Sequence, residues 1–218
     1  MKVYTNCSEL KCEIEKLCRI FFPFEKFLLE EDDDADIKVV CFNDCVNSYV
    51  KYGGKYFEFS EKINDFDIET TACRTLYRCL CETLNYVSKW GILTGVRPAK
   101  LMHRICENIG EENAKSDFQN RLLVSEQKTQ LAFEVMKHEN EIISLSKDNS
   151  FSLYISIPFC PTRCSYCSFV SHSVNSQSAK KLVEPYVELL CKELEETGRI
   201  AKELNLRLET GYFGGGTP

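Results

Sequence analysis

Apolar positions along the chain recur at helical spacing in some stretches and at strand spacing in others. Over residues 8–22, Leu10, Ile14, Leu17, Cys18 and Phe21 fall three or four apart, which predicts a short helix with one buried face. Ile37–Phe42 is β-branched and predicts a strand. Val46–Tyr52 and Lys55–Phe59 flank Gly53-Gly54, a pair suited to the positive φ values of a tight hairpin turn. A helical stretch follows over roughly residues 65–88. The segment Gly91-Ile92-Leu93-Thr94-Gly95-Val96-Arg97-Pro98 interrupts it, and Pro98 stands where a further helix would start. Two or three helices then fill residues 98–147, with Leu122, Leu131, Val135 and Ile142 at apolar positions.

Polar, turn-forming Lys147-Asp148-Asn149-Ser150 marks a domain boundary. Beyond it the pattern changes. Ser152–Ile157 predicts a strand, and a cysteine-bearing loop runs from Pro158 to about Asn175. Residues 178–204 predict a long amphipathic helix carrying Leu182, Val183, Tyr186, Leu189, Leu190, Leu194, Ala201 and Leu204. Arg207–Phe213 predicts a second strand, leading into Gly214-Gly215-Gly216-Thr217-Pro218. Strand, loop, helix and strand in this order form the unit of parallel α/β folds. The expected organisation is α/β: a mixed α+β N-terminal domain over residues 1–150, then a strand–helix–strand domain over residues 151–218.

Composition narrows the function. Hydrophobic residues make up 44% of the 218 positions and charged residues 28%, as in ordinary globular proteins. A net charge of -6 argues against general nucleic-acid binding, which needs a basic surface to displace counterions. No apolar run approaches the roughly 20 residues of a membrane span. The start, Met1-Lys2-Val3-Tyr4-Thr5-Asn6-Cys7, lacks the apolar core of a secretory signal, so the expected location is the cytoplasm. Thirteen cysteines in such a chain point to reduced thiols or metal ligands rather than disulfides, and they suit a low-oxygen organism. The acidic run Glu30–Asp36 reads as a solvated loop.

The chemistry concentrates in Cys160-Pro161-Thr162-Arg163-Cys164-Ser165-Tyr166-Cys167, spaced C-x3-C-x2-C. Three thiolates so close can converge on one metal centre. A four-iron cubane normally takes four thiolates, so three leave one iron open for a small molecule. The same cysteines with His172 also spell a closed Cys3His zinc site. The loop follows a predicted parallel strand, and the glycine triplet ends the next one. Ligand sites of parallel α/β folds lie at those strand ends. Cys41, Cys45, Cys73, Cys79, Cys81 and Cys191 read as small apolar residues. Arg97 and Lys100 at a helix start could meet an anionic group but read as solvated surface. His103, His138 and His172 show no metal-ligand spacing among themselves.

Tyr154-Ile155-Ser156-Ile157-Pro158-Phe159-Cys160, then Cys164, Tyr166 and Cys167, then Gly214–Pro218, resemble radical S-adenosylmethionine (SAM) enzymes, and within them the oxygen-independent coproporphyrinogen III oxidase group. Gly91–Lys100 and the chain order resemble its HemZ-type branch. The resemblance implies the start of a (β/α)6-type partial barrel after the N-terminal domain. It implies a [4Fe–4S] cluster on Cys160, Cys164 and Cys167, and SAM on the open iron. Gly215, Gly216 and Thr217 match positions beside the SAM methionyl group, where glycine admits close backbone approach. Tyr154 matches a position beside SAM, with a strand-core role as its alternative. Tyr166 and Phe169 match positions near the adenine.

The implied activity is oxidative decarboxylation of coproporphyrinogen III propionates to vinyl groups. It would use a 5′-deoxyadenosyl radical and an electron donor such as a flavodoxin or ferredoxin. Two departures open the substrate question. Ser156 stands where many relatives have His, and Phe169 stands where the better-defined oxidases carry another cysteine. The second departure is closer to haem-chaperone relatives, so a haem-binding chaperone is the alternative, with the zinc module third. Since a parallel barrel needs more than two strands, the sequence also reads as an N-terminal piece of a longer protein, itself inactive.

Overall fold

A computed structural model describes residues 1–29, 34–63, 66–95, 97–169 and 171–216. It divides into two units, Met1–Asn140 and Glu141–Pro218.

Unit 1 begins with β1 (Lys2–Thr5), α1 (Lys11–Phe21), β2 (Leu28–Leu29), β3 (Ile37–Phe42), β4 (Cys45–Tyr52) and β5 (Lys55–Lys62). The strands form one sheet in the order β2-β1-β3-β4-β5. β1 runs parallel to β2 and β3, whereas β3, β4 and β5 are antiparallel. The turn between β4 and β5 is Gly53-Gly54 at φ 58 and 78, the positive values anticipated there. Strand alternation sends Val3, Ile37, Val39, Val46 and Val50 to one face, where all are buried. Ile14, Leu17 and Cys18 of α1 belong to the same core, with Leu76, Cys79 and Leu80 of α2 (Ile68–Leu84). β1 and β2 carry no sequence signal of their own; they are too short to show a period.

Three more helices follow: α3 (Pro98–Ile109), α4 (Glu111–Asn120) and α5 (Glu126–Ile143), with Pro98 at the first turn of α3. In α5 the buried residues are Thr129, Ala132, Phe133 and Met136, while Leu131, Val135 and Ile142 face outward. The helix turns its bulkiest side chain, Phe133, inward, and the aliphatic positions read from the sequence lie off that face. Most of the acidic run lies outside the described residues. Asp36 at its end is built into the sheet: its carboxylate accepts from the Lys2 amide at 2.8 Å, and its carbonyl from the Lys51 amide at 2.8 Å.

Burial pushes the thiols of Cys18, Cys73 and Cys79 up to about 12, so they stay neutral and pack as small apolar groups. Arg74 is a buried cation with a full set of partners. Its guanidinium pairs with Glu61 at 3.0 Å, donates to the carbonyls of Asn120 and Arg121, and lies over the Phe66 ring at 4.5 Å. One side chain thereby joins α2, β5 and the end of α4.

Unit 2 comprises β6 (Ser150–Ile157), β7 (Phe159–Cys160), β8 (His172–Ser173), α6 (Gln177–Glu203) and β9 (Arg207–Gly215). β6 and β9 pair in parallel, with a register shift at Phe151/Ser152. Ser176 caps α6 by accepting from the Ala179 amide at 3.2 Å. Leu182 and Leu189 of α6 remain exposed, as does Leu204 just beyond its end, so its apolar surface is wider than the part β6 and β9 cover. No described helix is long and apolar enough to cross a membrane.

Candidate functional site

Parallel pairing puts the C-terminal ends of β6 and β9 side by side. Ser156 pairs with Gly214 and Ile157 with Gly215, and the Gly216 amide donates to the Ile157 carbonyl at 2.5 Å. The cysteine loop leaves β6 at this point. Its two ends are held together by β7 and β8, where Phe159 pairs with His172 and Cys160 with Ser173. The His172 amide donates to the Pro158 carbonyl at 2.7 Å, and the Asn175 carboxamide to that of Pro161 at 2.8 Å. Buried Phe159 packs edge-on against Tyr186 of α6 at 5.4 Å, and the Tyr186 hydroxyl donates to the Ser156 carbonyl. The loop therefore closes on a fixed base while its middle projects outward.

Within it, Cys160 and Cys167 are half-buried, Cys164 is exposed, and none is in a disulfide. A turn closed by the Cys167 amide on the Cys164 carbonyl at 3.1 Å carries two of the three. Tyr166 is 88% exposed beside the Cys164 thiol. The neighbouring Cys164 side chain, and less strongly Cys167, raise the phenol above its ordinary value. An apolar cleft of about 380 Å³ beside Cys160 is lined by Ile157, Phe159, Val183 and Val187 among others. Among the described residues, no three Cys, His, Asp or Glu side chains are gathered as a metal-holding group. His172 tilts against the Phe159 ring at 6.1 Å, and it too is outside any such group.

The donor chemistry nonetheless fits a cluster. Three free thiols share one outward loop, three being the number that leaves an iron open. The glycines fit an approach that only glycine permits. A Cβ on Gly216 would lie 2.2 Å from the Phe159 carbonyl oxygen and 2.7 Å from that of Ile157. Gly215 has φ +101 and a similarly close neighbour, the Ile157 carbonyl, at 2.9 Å. The crowding comes from the protein's own strand end, so these glycines are needed to bring β9 against the root of the cysteine loop.

Tyr154 is 55% exposed on the β6 face opposite buried Ile155. It stacks on Tyr212 of β9 with centroids 5.6 Å apart, beside Ser152 and Thr210, whose hydroxyls bond at 2.8 Å. Sequence reading missed Tyr212; its signal is the strand register that pairs it with Tyr154. Phe169 is 59% exposed near the end of the loop. Thr217 lies outside the described residues.

Comparison with known proteins places these features. The oxygen-independent coproporphyrinogen-III oxidase-like protein HemZ of Bacillus subtilis is 31% identical over 169 residues, 75% of this chain and 33% of HemZ. That match is longer than unit 2, so it extends into unit 1. The heme chaperone HemW of Bacillus subtilis is 42% identical over 67 residues, 31% of this chain and 16% of HemW. Anaerobilin synthase of Escherichia coli O157:H7 is 32% identical over 66 residues, 30% of this chain and 14% of that protein. The chain thus spans about a third or less of the length of these relatives. No family model and no solved structure matches it. With its cysteine loop, its glycine strand end and a match to HemZ over three-quarters of its residues, the chain belongs to the radical SAM, coproporphyrinogen oxidase-like family.

Proposed function

We propose that the chain carries the cluster- and SAM-binding start of a radical SAM oxidoreductase acting on a tetrapyrrole. The observation that carries this reading is the pairing of Ile157 with Gly215, which sets the root of the cysteine loop against the glycine end of the next strand. Cys160, Cys164 and Cys167 would hold a [4Fe–4S] cluster. Gly215, Gly216 and Thr217, with Tyr154 and Phe169, would hold SAM beside it. Bound together, the cluster and SAM supply hydrogen abstraction by a 5′-deoxyadenosyl radical. The chain's own residues position these groups: β7 and β8 pin the loop, Tyr186 holds the strand end, and the apolar cleft borders Cys160. β6, α6 and β9 would open a partial (β/α)6 barrel, with unit 1 as an accessory domain.

The substrate we favour is coproporphyrinogen III, with propionates decarboxylated to vinyl groups to give protoporphyrinogen IX. A flavodoxin- or ferredoxin-like protein would supply the electron. All thirteen cysteines are free, which supports a reducing compartment such as the cytoplasm. A second reading, a haem-binding chaperone without oxidase activity, draws on the HemW matches and on Phe169 two residues after Cys167.

The test is anaerobic reconstitution with iron and sulfide, alongside Cys164→Ala. About four irons and a broad absorption near roughly 400 nm, both lost in the variant, are expected. Zinc in a colourless protein would overturn the reading in favour of the Cys3His module. Given a cluster, carbon dioxide release from coproporphyrinogen by a protein that carries the whole barrel supports the oxidase, and haem binding without it the chaperone.

A further inference from the structure

Cys7 and Cys41 lie apart from the cysteine loop, at the end of the parallel pair β1 and β3. Thr5 pairs with Val39 in register, and two residues further along each segment come Cys7 and Cys41. The main chain is fixed around both. The Asn6 carboxamide donates to the Cys41 carbonyl at 2.8 Å and accepts from the Cys41 amide at 2.8 Å, taking the place of a strand neighbour. The Cys7 amide donates to Thr5 Oγ1 at 3.2 Å, and the Cys7 carbonyl accepts from the Leu10 amide at 3.2 Å. Both thiols are half-buried at the rim of the core, and the strand register brings them to the same end of the sheet. At the last pair before them, Thr5 and Val39, the strands are neighbours, which lie about 5 Å apart, and a disulfide spans a Cα separation of about 4.4–6.8 Å.

We propose that Cys7 and Cys41 form a thiol pair that small-molecule disulfides convert into an intramolecular disulfide. The chemistry is exchange and needs no other oxidant. One thiolate of the pair attacks a sulfur of the added disulfide, whose S–S bond breaks and releases one thiol. The second thiolate then attacks the protein sulfur of the mixed disulfide and releases the other. Two protein thiols are oxidised and one disulfide is reduced to two thiols, which take up the two protons. Burial, then the neighbouring Cys7, raises the Cys41 thiol, which favours Cys41 in the second, resolving step. Cys18 and Cys73 provide the internal contrast, since both are sealed in the core. Reaction at Cys7 and Cys41 is independent of the cluster, so this inference goes beyond the proposed function.

The test is incubation of the whole chain, purified anaerobically, with oxidised glutathione at graded ratios to the reduced form. Alkylation and peptide mass mapping follow. The expected result is a Cys7–Cys41 link in the peptide map, its reversal by reduced glutathione, and unmodified Cys18 and Cys73. Cys41→Ser should instead retain glutathione on Cys7. Glutathione on exposed Cys12 and Cys191 with no Cys7–Cys41 link would overturn the proposal, because exposure alone would then decide reactivity. A link formed only in denaturant would overturn it as well. Circular dichroism of Cys7→Ser/Cys41→Ser shows whether the serines leave the fold intact.

Discussion

Gly216→Ala tests how closely the two strand ends must approach. The added Cβ would meet the Phe159 carbonyl oxygen at 2.2 Å, the Ile157 carbonyl oxygen at 2.7 Å and the Phe159 carbonyl carbon at 2.9 Å. Ordinary contact begins near 3.4 Å, so one segment has to retreat by more than 1 Å. All three atoms are main chain, and no side chain can swing aside. The retreat breaks the hydrogen bond from the Gly216 amide to the Ile157 carbonyl, worth about 1 kcal/mol, and overpacking brings the cost to about 1–3 kcal/mol. Gly211→Ala is the matched control, since a Cβ there meets nothing within 4 Å. The assay pairs urea unfolding with iron retained after anaerobic reconstitution. Gly216→Ala should lower both, and Gly211→Ala should leave iron unchanged. Equal behaviour of the two variants would refute the reasoning, because the strand ends would then tolerate separation.

Arg74→Met should destabilise unit 1 by about 3–4 kcal/mol, since it strands Glu61 and two carbonyls, and denaturant unfolding measures the loss. Glu61→Gln, which leaves the carbonyl bonds in place, should cost less. Stability should also fall in alkali. Cys18, Cys73 and Cys79 ionise near 9 when unfolded and at about 12 when folded, so above pH 9 the unfolded chain holds fewer protons and is favoured as pH rises. Each thiol adds up to about 1.4 kcal/mol per pH unit between 9 and 12, and nothing below that window. Urea titrations in reductant at pH 8, 9.5 and 10.5 measure the slope, which Cys18→Ala should flatten. Thr129→Val should stabilise by about 1 kcal/mol, because the buried Thr129 hydroxyl has no hydrogen-bond partner among the described residues. A lower unfolding midpoint for that variant would show that its hydroxyl is satisfied after all.

Local features were legible where a few adjacent residues decide the outcome. Gly53-Gly54 specifies its own turn, and Ile37–Phe42 occupies the bounds read from its β-branched run. Pro98 sets the start of α3 because it fills a position that needs no amide. Features that depend on distant partners were not legible. β1 and β2 are strands only because they pair with each other and with β3. Leu131, Val135 and Ile142 are exposed because Phe133 and Met136 fix the inward side of α5. At the candidate site, cysteine spacing was visible, but Tyr212 beside Tyr154 requires the β6–β9 register, including its shift at Phe151/Ser152. Arg74 gave no sign in sequence, since its Glu61, Asn120 and Arg121 partners come from separate segments.

β9 has a consequence for handling. Among the described residues it pairs only with β6, so its other side presents unpaired amides and carbonyls. Leu208, Tyr212 and Phe213 are exposed along it, and no proline interrupts the strand. A second molecule in the same state could add to that edge as another strand. Made as these 218 residues, the chain should self-associate with rising concentration, and a charged substitution at Leu208 should delay it.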